Sequence, residues 1–219
     1  MGEERDGSIG TKKRIVQALE NNDLPAVVAI GMQNRGVVSQ LIRLAYDKDT
    51  LVGWRSIVSI GLIARGIIDK DYEFLRVTIR KLLWSLSDES GGVGWSAPEI
   101  LGEIVSANPV AMGDVVPLIA EVFSIEERTF RPGVLYALKR IGEVRPESIQ
   151  PFSGIVLQGM ADPDPLCRAF AVQVYLFMQP YWSDGEQWYE VIEKIKKDSA
   201  VVWLYRNDGF KDFQLKDMI

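Results

Sequence analysis

The sequence predicts an all-α protein built as an α-solenoid of about six stacked helix pairs. Apolar residues recur at steps of three and four, as in Leu75, Ile79, Leu82 and Leu86, which is the spacing of one helix face. A Gly-Trp segment also recurs along the chain, and a helical segment that recurs at a fixed period is typical of a solenoid. Short polar connections between the predicted helices place consecutive helices side by side.

These connections divide the chain of 219 residues into stretches of helical length. They are rich in Asp, Gly and Pro, which favour turns, and in chain order they read ENNDLP, YDKDT, IIDKD, SDESGGVG, SANP, SIEERTFRP, EVRPES, ADPDP and QPYWSDG. We therefore predict helix pairs near residues 11–34, 35–68, 70–108, 110–146, 147–180 and 185–206. Residues 1–10 are predicted to be disordered or loosely packed, and residues 11–206 to form one domain. Residues 207–219 form a tail that either packs as a lid or extends freely.

The internal repeat is clearest between GWRSIVSIGLIA at residues 53–64 and GWSAPEILGEIV at residues 94–105. Four positions match at an offset of 41 residues: Gly53 with Gly94, Trp54 with Trp95, Ile60 with Leu101, and Gly61 with Gly102. Gly142 follows Gly102 at an offset of 40. Because glycine inside a helix costs about 1 kcal/mol relative to alanine, its recurrence predicts a close approach between helices.

These segments resemble HEAT and HEAT-like repeats of the PBS-lyase type. The resemblance rests on DKDTLVGWRSIVSIGLIARG and DPDPLCRAFAVQVYLF, in which an Asp-containing turn precedes Arg55 or Arg168 and a stripe of small and apolar residues. It covers roughly residues 11–205, and the third unit departs from it by having Ser96 in place of the Arg. It implies that the second helices line a concave surface and that the terminal units cap the stack.

The composition limits the chemistry that this chain can perform. It contains no histidine, and Cys167 is its only cysteine. A disulfide framework within the chain, a thiolate or imidazole metal cluster, and Ser-His or Cys-His nucleophile pairs are therefore excluded. No metal or cofactor is predicted, and a non-enzymatic protein is favoured over an enzyme.

Membrane insertion is not expected from the sequence. No apolar run reaches the roughly 18 residues that a membrane span requires, and the polar N-terminal segment lacks the apolar core of a signal peptide. A cytoplasmic location is therefore the expectation. The sequence leaves the oligomeric state open.

Negative charge is concentrated in the middle of the chain. Residues 82–127 contain no Lys or Arg, although the chain as a whole has a formal net charge of only −5. This block contains eight acidic residues: Asp88, Glu89, Glu99, Glu103, Asp114, Glu121, Glu126 and Glu127. Unpaired carboxylates at this density favour a cationic protein partner over nucleic acid, which is bound through Lys and Arg.

The segment WSLSDESGGVGWSAPE, residues 84–99, is a candidate recognition loop. Read only as a helix connection, it places Ser96 as an N-cap, Pro98 in the first turn and Glu99 at the third position of a capping box. Capping alone does not require the three glycines, two acids and flanking tryptophans found here. We therefore predict that the segment also contacts a partner.

Trp95, Glu99 and Glu103 follow one another at four-residue steps and share one face of the predicted helix. The resemblance places this face on the concave side near Trp54, with Arg55 adjacent. An aromatic wall with carboxylates suits a Lys- or Arg-bearing segment through cation–π contacts and ion pairs. The predicted binding residues are Trp54, Arg55, Trp84, Asp88, Glu89, Trp95, Glu99 and Glu103.

The leading functional prediction is a protein–protein interaction scaffold whose acidic, Trp-containing concave face around the third repeat binds a basic partner. Two alternatives follow from the resemblance. One is a HEAT-like DNA glycosylase of the alkylpurine type, whose cleft residues would be matched here by Trp54, Trp95, Arg55, and Asp88 or Glu99. The other is a lyase or maturation factor for a cofactor-bearing protein, in which the Cys167 thiol is a conceivable nucleophile and buried packing is the simpler interpretation.

Overall fold

The computed structural model describes residues 3–86, 94–125, 128–182, 185–206 and 209–219, with the backbone alone for residues 3–9 and Gly94. Over these ranges the chain forms eleven α-helices and one two-stranded sheet. The helices are α1 (Glu3–Glu20), α2 (Leu24–Gln33), α3 (Gly36–Leu44), α4 (Leu51–Ile67), α5 (Tyr72–Leu86), α6 (Ala97–Ser106), α7 (Val115–Glu121), α8 (Arg131–Gly142), α9 (Ser153–Met160), α10 (Pro165–Met178) and α11 (Glu186–Ile195). The strands are β1 (Val201–Arg206) and β2 (Gly209–Gln214).

The helices form five consecutive pairs, from α1 with α2 to α9 with α10. The second helices α2, α4, α6, α8 and α10 each contact the next, so they make one continuous layer, and the first helices flank it. The predicted all-α solenoid is therefore confirmed. None of the helices in the described ranges is long and apolar enough to cross a membrane.

Local sequence explains where the second helices begin. Pro25, Pro98, Pro132 and Pro165 occupy the first turns of α2, α6, α8 and α10, where proline has no hydrogen bond to lose and its backbone angle already suits a helix. The remaining second helix, α4, begins instead with Thr50, whose hydroxyl accepts a hydrogen bond from the Gly53 amide at 3.1 Å.

Helix α6 lies in the centre of the layer, between α4 and α8. All ten of its residues are buried, including Glu99 and Glu103. The predicted close approach at the repeated glycines is confirmed on both sides of α6. A methyl group at Gly102 would overlap Ala137 of α8, and a methyl group at Gly61 of α4 would overlap the Glu103 carboxylate.

Ion pairs also connect successive units. Each joins an Arg to an Asp between 30 and 38 residues further along the chain, with N–O distances of 2.7 to 2.8 Å: Arg35–Asp71, Arg76–Asp114, Arg131–Asp162 and Arg168–Asp198. The Arg168 guanidinium also donates to the carbonyls of Asp162 and Pro163. Charged side chains at the edges of each pair therefore supplement the apolar contacts between the helices.

The predicted sixth helix pair is wrong in its second member. Helix α11 forms, but the following segment is strand β1, which pairs antiparallel with β2 from Val201 opposite Gln214 to Arg206 opposite Gly209. The β1 sequence VVWLYR consists mostly of β-branched and aromatic residues, which favour strands. Helical spacing was assigned to a run that instead alternates, since Val202 and Leu204 are buried while Val201 and Trp203 are exposed.

The C-terminal tail packs back on the helices. Strand β1 contacts α10, and Leu215, which follows β2, is completely buried. The Leu215 amide donates to the Ala200 carbonyl at 3.0 Å, which closes the base of the hairpin. The hairpin occupies the place in the chain where the second helix of the sixth pair was expected, and it contacts α10 and, through Tyr205, α4.

Candidate functional site

The three predicted binding residues around α6 lie along one helix edge but differ in exposure. Trp95 lies in a short 3-10 turn just before α6 and is 41% exposed, whereas Glu99 and Glu103 are each only 2% exposed. The Trp95 ring contacts Phe130 at a centroid distance of 6.5 Å. Of these three residues, only Trp95 therefore faces solvent.

Glu103 is held by the next second helix, α8. Its Oε1 accepts hydrogen bonds from the Tyr136 hydroxyl at 2.6 Å and from Arg140 Nε at 2.7 Å. Burial and the adjacent Glu103 carboxylate raise the pKa of Tyr136 well above its usual value, so the hydroxyl stays protonated and donates. Burial alone would lower the pKa of Arg140, but its hydrogen bond and ion pair with Glu103 raise it.

Glu99 connects the second repeat to the fourth. Its Oε1 accepts a hydrogen bond from Lys48 Nζ, in the turn before α4, at 2.8 Å. Its carboxylate lies directly over Gly133 of α8, where a methyl group would come within 2.6 Å of Oε2. That second oxygen accepts no hydrogen bond from any residue in the described ranges. The carboxylate is thus oriented by Lys48 through one oxygen only.

The expected face of unpaired carboxylates needs correction. Glu99, Glu103 and Asp114 each form an ion pair with a cation from outside the acidic block: Lys48, Arg140 and Arg76. The Arg76 hydrogen bond lowers the pKa of Asp114. Charge counted along the sequence missed these pairs because the partners lie between 37 and 51 residues away. Asp88 and Glu89 lie outside the described residues.

Trp54, predicted to contribute to the aromatic wall of a binding face, is instead buried. The side chain is 7% exposed because two rings cover it. Tyr136 meets it edge-on at 5.2 Å, and Tyr205 of strand β1 stacks on it at 5.6 Å with an interplanar angle of 3°. Aromatic contacts continue from Tyr136 to Phe170 and from Tyr205 to Phe210, so one chain of rings links α10, α8, α4 and the hairpin.

Arg55 does not join this group. It is 6% exposed, and its Nη1 donates to the carbonyls of Leu19 and Glu20, at the end of α1, at 2.7 and 2.9 Å. A cation at a helix C-terminus satisfies carbonyls that have no partner within the helix and complements the helix dipole. Arg55 therefore links α4 to the first repeat, which explains its burial.

Ser96 has the equivalent role in the next repeat. Its hydroxyl donates to the carbonyl of Ala45, the residue that ends α3. The predicted capping box is therefore wrong, because Ser96 makes no side-chain cap to α6 and Glu99 pairs with Lys48 instead. The sequence repeat nevertheless matched Arg55 with Ser96. Both side chains donate hydrogen bonds to carbonyls at the C-terminal end of the first helix of the preceding pair.

Trp84 lies on the first-helix layer, near the end of α5. It is 68% exposed, which is the largest exposed fraction among the six tryptophans. Together with Trp95 and Trp203, three of the six tryptophans expose 41% or more of their surface. Tryptophan is usually buried over most of its area, so this exposure marks three candidate contact points.

A groove lies beside the aromatic chain on the second-helix layer. It has a volume of about 470 Å³ and is lined by Val58, Glu103, Tyr136, Lys139, Arg140, Glu143, Tyr205 and Arg206. Glu143 accepts from Lys139 at 2.9 Å and from Arg140 at 2.6 Å. Burial raises the pKa of Glu143, but these two cations outweigh it and lower the pKa overall. We call this cavity the inner groove.

The sequence missed several residues that shape the site. Tyr136 and Arg140 stand four residues apart on α8, a spacing that could have indicated a shared face. Lys48 gave no signal of its pairing with Glu99, and Tyr205 was assigned to a helix. These contacts join residues that are far apart in the chain, and a single sequence does not indicate which turns and strands come into contact.

Cys167 is completely buried in α10. Burial raises the pKa of its thiol well above the usual value, and the nearby carboxylates of Asp162 and Asp164 act in the same direction. The thiolate is the reactive form, so this environment suits packing rather than nucleophilic chemistry.

Comparison with known proteins gives one structural similarity. Neither a protein-family model nor a curated protein matches the sequence. The fold is similar to the crystal structure of an archaeal HEAT-like repeats protein from Thermococcus onnurineus NA1, with a TM-score of 0.36 and 12% sequence identity. The match covers 85% of this chain and 72% of that chain. The repeat architecture itself rests on the helix packing described above.

Proposed function

We propose that this chain is a non-enzymatic scaffold that binds a Lys- or Arg-bearing segment of another protein. The proposed site is centred on Trp95, with Trp84 as a further contact. The observation that carries the proposal is the exposure of two large aromatic side chains of the third repeat, Trp95 before α6 at 41% and Trp84 near the end of α5 at 68%. Exposed tryptophans on a rigid surface are typical of the residues that dominate protein binding.

The chemistry near Trp95 favours a cationic segment. The ring lies beside Phe130, and two residues into α6 the Glu99 carboxylate has one oxygen that accepts no hydrogen bond within the described residues. A guanidinium or ammonium group of a partner would contact the exposed indole face, whereas the Glu99 carboxylate is buried and already paired with Lys48.

A binding assay tests this site. The probe is a short fluorescein-labelled peptide rich in Lys and Arg, with a second peptide in which these residues are replaced by Gln. We expect Trp95→Ala to weaken binding of the basic peptide at least about tenfold, as truncation of a hot-spot residue does. Tyr189→Ala is the matched control, because Tyr189 is an exposed aromatic residue on α11, 67% exposed and far along the stack.

Two outcomes would contradict the proposal. In the first, Trp95→Ala and Tyr189→Ala bind the basic peptide as tightly as the unmodified chain. In the second, the unmodified chain binds a DNA duplex more tightly than about 1 μM at low salt, where phosphate contacts are strongest. The second result would favour the nucleic-acid alternative. The lyase alternative has no support from the buried Cys167 thiol.

A further inference from the structure

The β-hairpin makes a contact between two parts of the stack that are not neighbours. In a repeat protein each unit contacts only the next one, so nothing else holds the two ends of the stack relative to each other. Here Tyr205 of β1 stacks on Trp54 of α4 at a centroid distance of 5.6 Å, although the second helices α6, α8 and α10 lie between α4 and β1 along the chain. The hairpin therefore returns from the last helix pair to the second.

One end of the hairpin is fixed to α10. Val202 and Leu204 of β1 and Leu215 after β2 are at most 4% exposed, and β1 contacts α10 directly. The segment that leads into β1 is held as well, because Arg168 of α10 forms an ion pair with Asp198 at 2.8 Å. Burial of several apolar side chains beside an ion pair makes this a stable attachment, so this end of the hairpin moves together with α10.

The other end of the hairpin reaches α4 through the Tyr205 ring. Tyr205 covers one side of Trp54, and Tyr136 of α8 meets the same indole edge-on at 5.2 Å. Tyr136 in turn contacts Phe170 of α10 at 5.6 Å. Because β1 rests on α10, these contacts form a closed circuit that runs from α10 through α8 and α4 to the hairpin and back to α10.

Such a circuit restricts how the layer of second helices can bend. The curvature of a repeat stack is the sum of small rotations between successive units. Three interfaces separate α4 from α10, namely those of α4 with α6, α6 with α8, and α8 with α10. Small rotations at these interfaces add up, so a change in curvature displaces Trp54 from a hairpin that is fixed to α10. The stack of Tyr205 on Trp54 opposes that displacement.

We propose that the C-terminal hairpin is a strap that holds the second-helix layer at one curvature through the stack of Tyr205 on Trp54. Without this stack, the first two repeats move relative to the last as they do in a stack held only by contacts between neighbours. With it, the layer keeps one shape, and a surface that is already in its bound shape loses less freedom when a partner binds. The strap acts wherever on the chain such a partner is bound.

The distance between α2 and α10 tests the inference. Spin labels are attached to the full-length chain at Gln33→Cys in α2 and Leu176→Cys in α10, both of which are exposed positions. Cys167 is completely buried, so the chain without these two substitutions should take up no label. Pulsed electron spin resonance then measures the distribution of distances between the two labels.

Tyr205→Ser removes the stacked ring and is the test variant. We expect its distance distribution to be broader than that of the labelled chain with Tyr205 and to extend to longer distances, because the curvature is no longer held. Tyr205→Phe keeps the stacked ring, so its distribution should match that of the labelled chain. Tyr189→Ser is the matched control, since it removes an exposed tyrosine of α11, 67% exposed, and should also leave the distribution unchanged.

Hydrogen exchange followed by mass spectrometry measures the same coupling without labels. We expect the amides of α4 to exchange about tenfold faster in Tyr205→Ser than in the unmodified chain, because the stack that opposes opening of this helix is lost. The exchange of the β1 amides shows in the same experiment whether the hairpin stays on α10. Tyr205→Phe and Tyr189→Ser should leave the exchange of α4 unchanged.

An unchanged distance distribution in Tyr205→Ser would overturn the inference whether or not the hairpin stays on α10, since in both cases the ring no longer covers Trp54. Equal broadening in Tyr205→Phe or Tyr189→Ser would overturn it as well, because neither variant removes the stack. None of these variants changes Trp95, so the peptide-binding assay of the Trp95 site and the test of the strap can fail separately.

Discussion

The two Gly-Trp segments match in sequence at their Gly-Trp pair, but their two tryptophans have opposite surroundings. Trp54 lies within α4 and is 7% exposed, whereas Trp95 precedes α6 and is 41% exposed. Trp54 is covered by Tyr136 and by Tyr205 of the hairpin, while Trp95 contacts only Phe130 among the rings of the described residues. A repeat supplies equivalent residues, but the burial of each depends on neighbours that do not repeat.

The residues that follow the two tryptophans show the converse. Arg55 and Ser96 differ in charge and size, yet both donate to a carbonyl at the end of a first helix. The requirement here is local and recurs in each repeat, because every helix ends with carbonyls that need donors. The need for a hydrogen-bond donor at the end of a first helix therefore recurs with the repeat, whereas the burial of an aromatic ring does not.

The largest expected effect separates the two tryptophans directly. We expect Trp54→Ala to lower the free energy of unfolding by about 3–5 kcal/mol, because it removes a buried ring and leaves a cavity. Trp95→Ala should lower it by less than about 1 kcal/mol, since the ring is largely at the surface. Urea unfolding measures both, and comparable losses would show that the exposure of Trp95 does not describe the protein in solution.

Arg55 and Ser96 give the next largest effects. Arg55→Met keeps the apolar stem and removes the charged donor, so we expect a loss of about 2–3 kcal/mol. Ser96→Ala should cost about 1 kcal/mol, because one neutral hydrogen bond to Ala45 is lost. Thermal and urea unfolding of both variants test this order. A larger loss for Ser96→Ala would contradict the equivalence of their roles.

The matched glycines of the two segments should differ as well. A methyl group at Gly102 meets the Ala137 backbone, so overpacking of up to about 3 kcal/mol outweighs the roughly 1 kcal/mol gained in helix propensity. We expect a net loss of about 1–2 kcal/mol for Gly102→Ala and a loss of similar size for Gly61→Ala, where the added group meets the Glu103 side chain that Tyr136 and Arg140 hold in place. Gly154→Ala is the control, because nothing lies within 4 Å of the added group. It should be neutral or stabilising in the same unfolding assay.

Removing the stacked ring over Trp54 tests the cause of its burial. Tyr205→Leu keeps apolar area but loses the stack, so we expect a loss of about 1 kcal/mol. The indole of Trp54 should also become more accessible, which acrylamide quenching of tryptophan fluorescence measures. Unchanged quenching would mean that Tyr136 and the hairpin backbone are enough to cover Trp54.

The smallest effect concerns Glu143 in the inner groove. Lys139 and Arg140 lower its pKa in the folded protein, so the folded state binds this proton less readily than the unfolded chain does. Its stabilising contribution is therefore present above the usual carboxyl pKa, about 4.3, and is lost as pH falls through the lowered folded value. Because Glu143 is 35% exposed and screened, Glu143→Gln should cost less than about 1 kcal/mol at pH 7. The difference from the unmodified chain should vanish toward pH 2, as followed by urea unfolding at each pH.

The sequence predicted the helix pairs because helices and turns are local. Apolar spacing, the prolines at helix starts and the repeated glycines each depend on residues within a few turns. The candidate site was harder to predict. Glu103 and Trp54 were predicted as binding residues, but both are buried by contacts with Tyr136 and Tyr205, which are more than 30 residues away. The β-hairpin was missed because VVWLYR is too short for its alternation to be distinguished from a helical pattern.

By itself the sequence determined an α-solenoid with glycines at close helix contacts, since backbone propensity and apolar periodicity act over one or two turns. Only the tertiary structure decided that Glu99, Glu103 and Asp114 are paired, that Trp54 is covered and that Trp95 is open. Ion pairs such as Lys48 with Glu99 and stacks such as Tyr205 on Trp54 form between residues that chain folding brings together. Their formation depends on how the repeats curve and where the tail returns, and that information is spread over the whole chain.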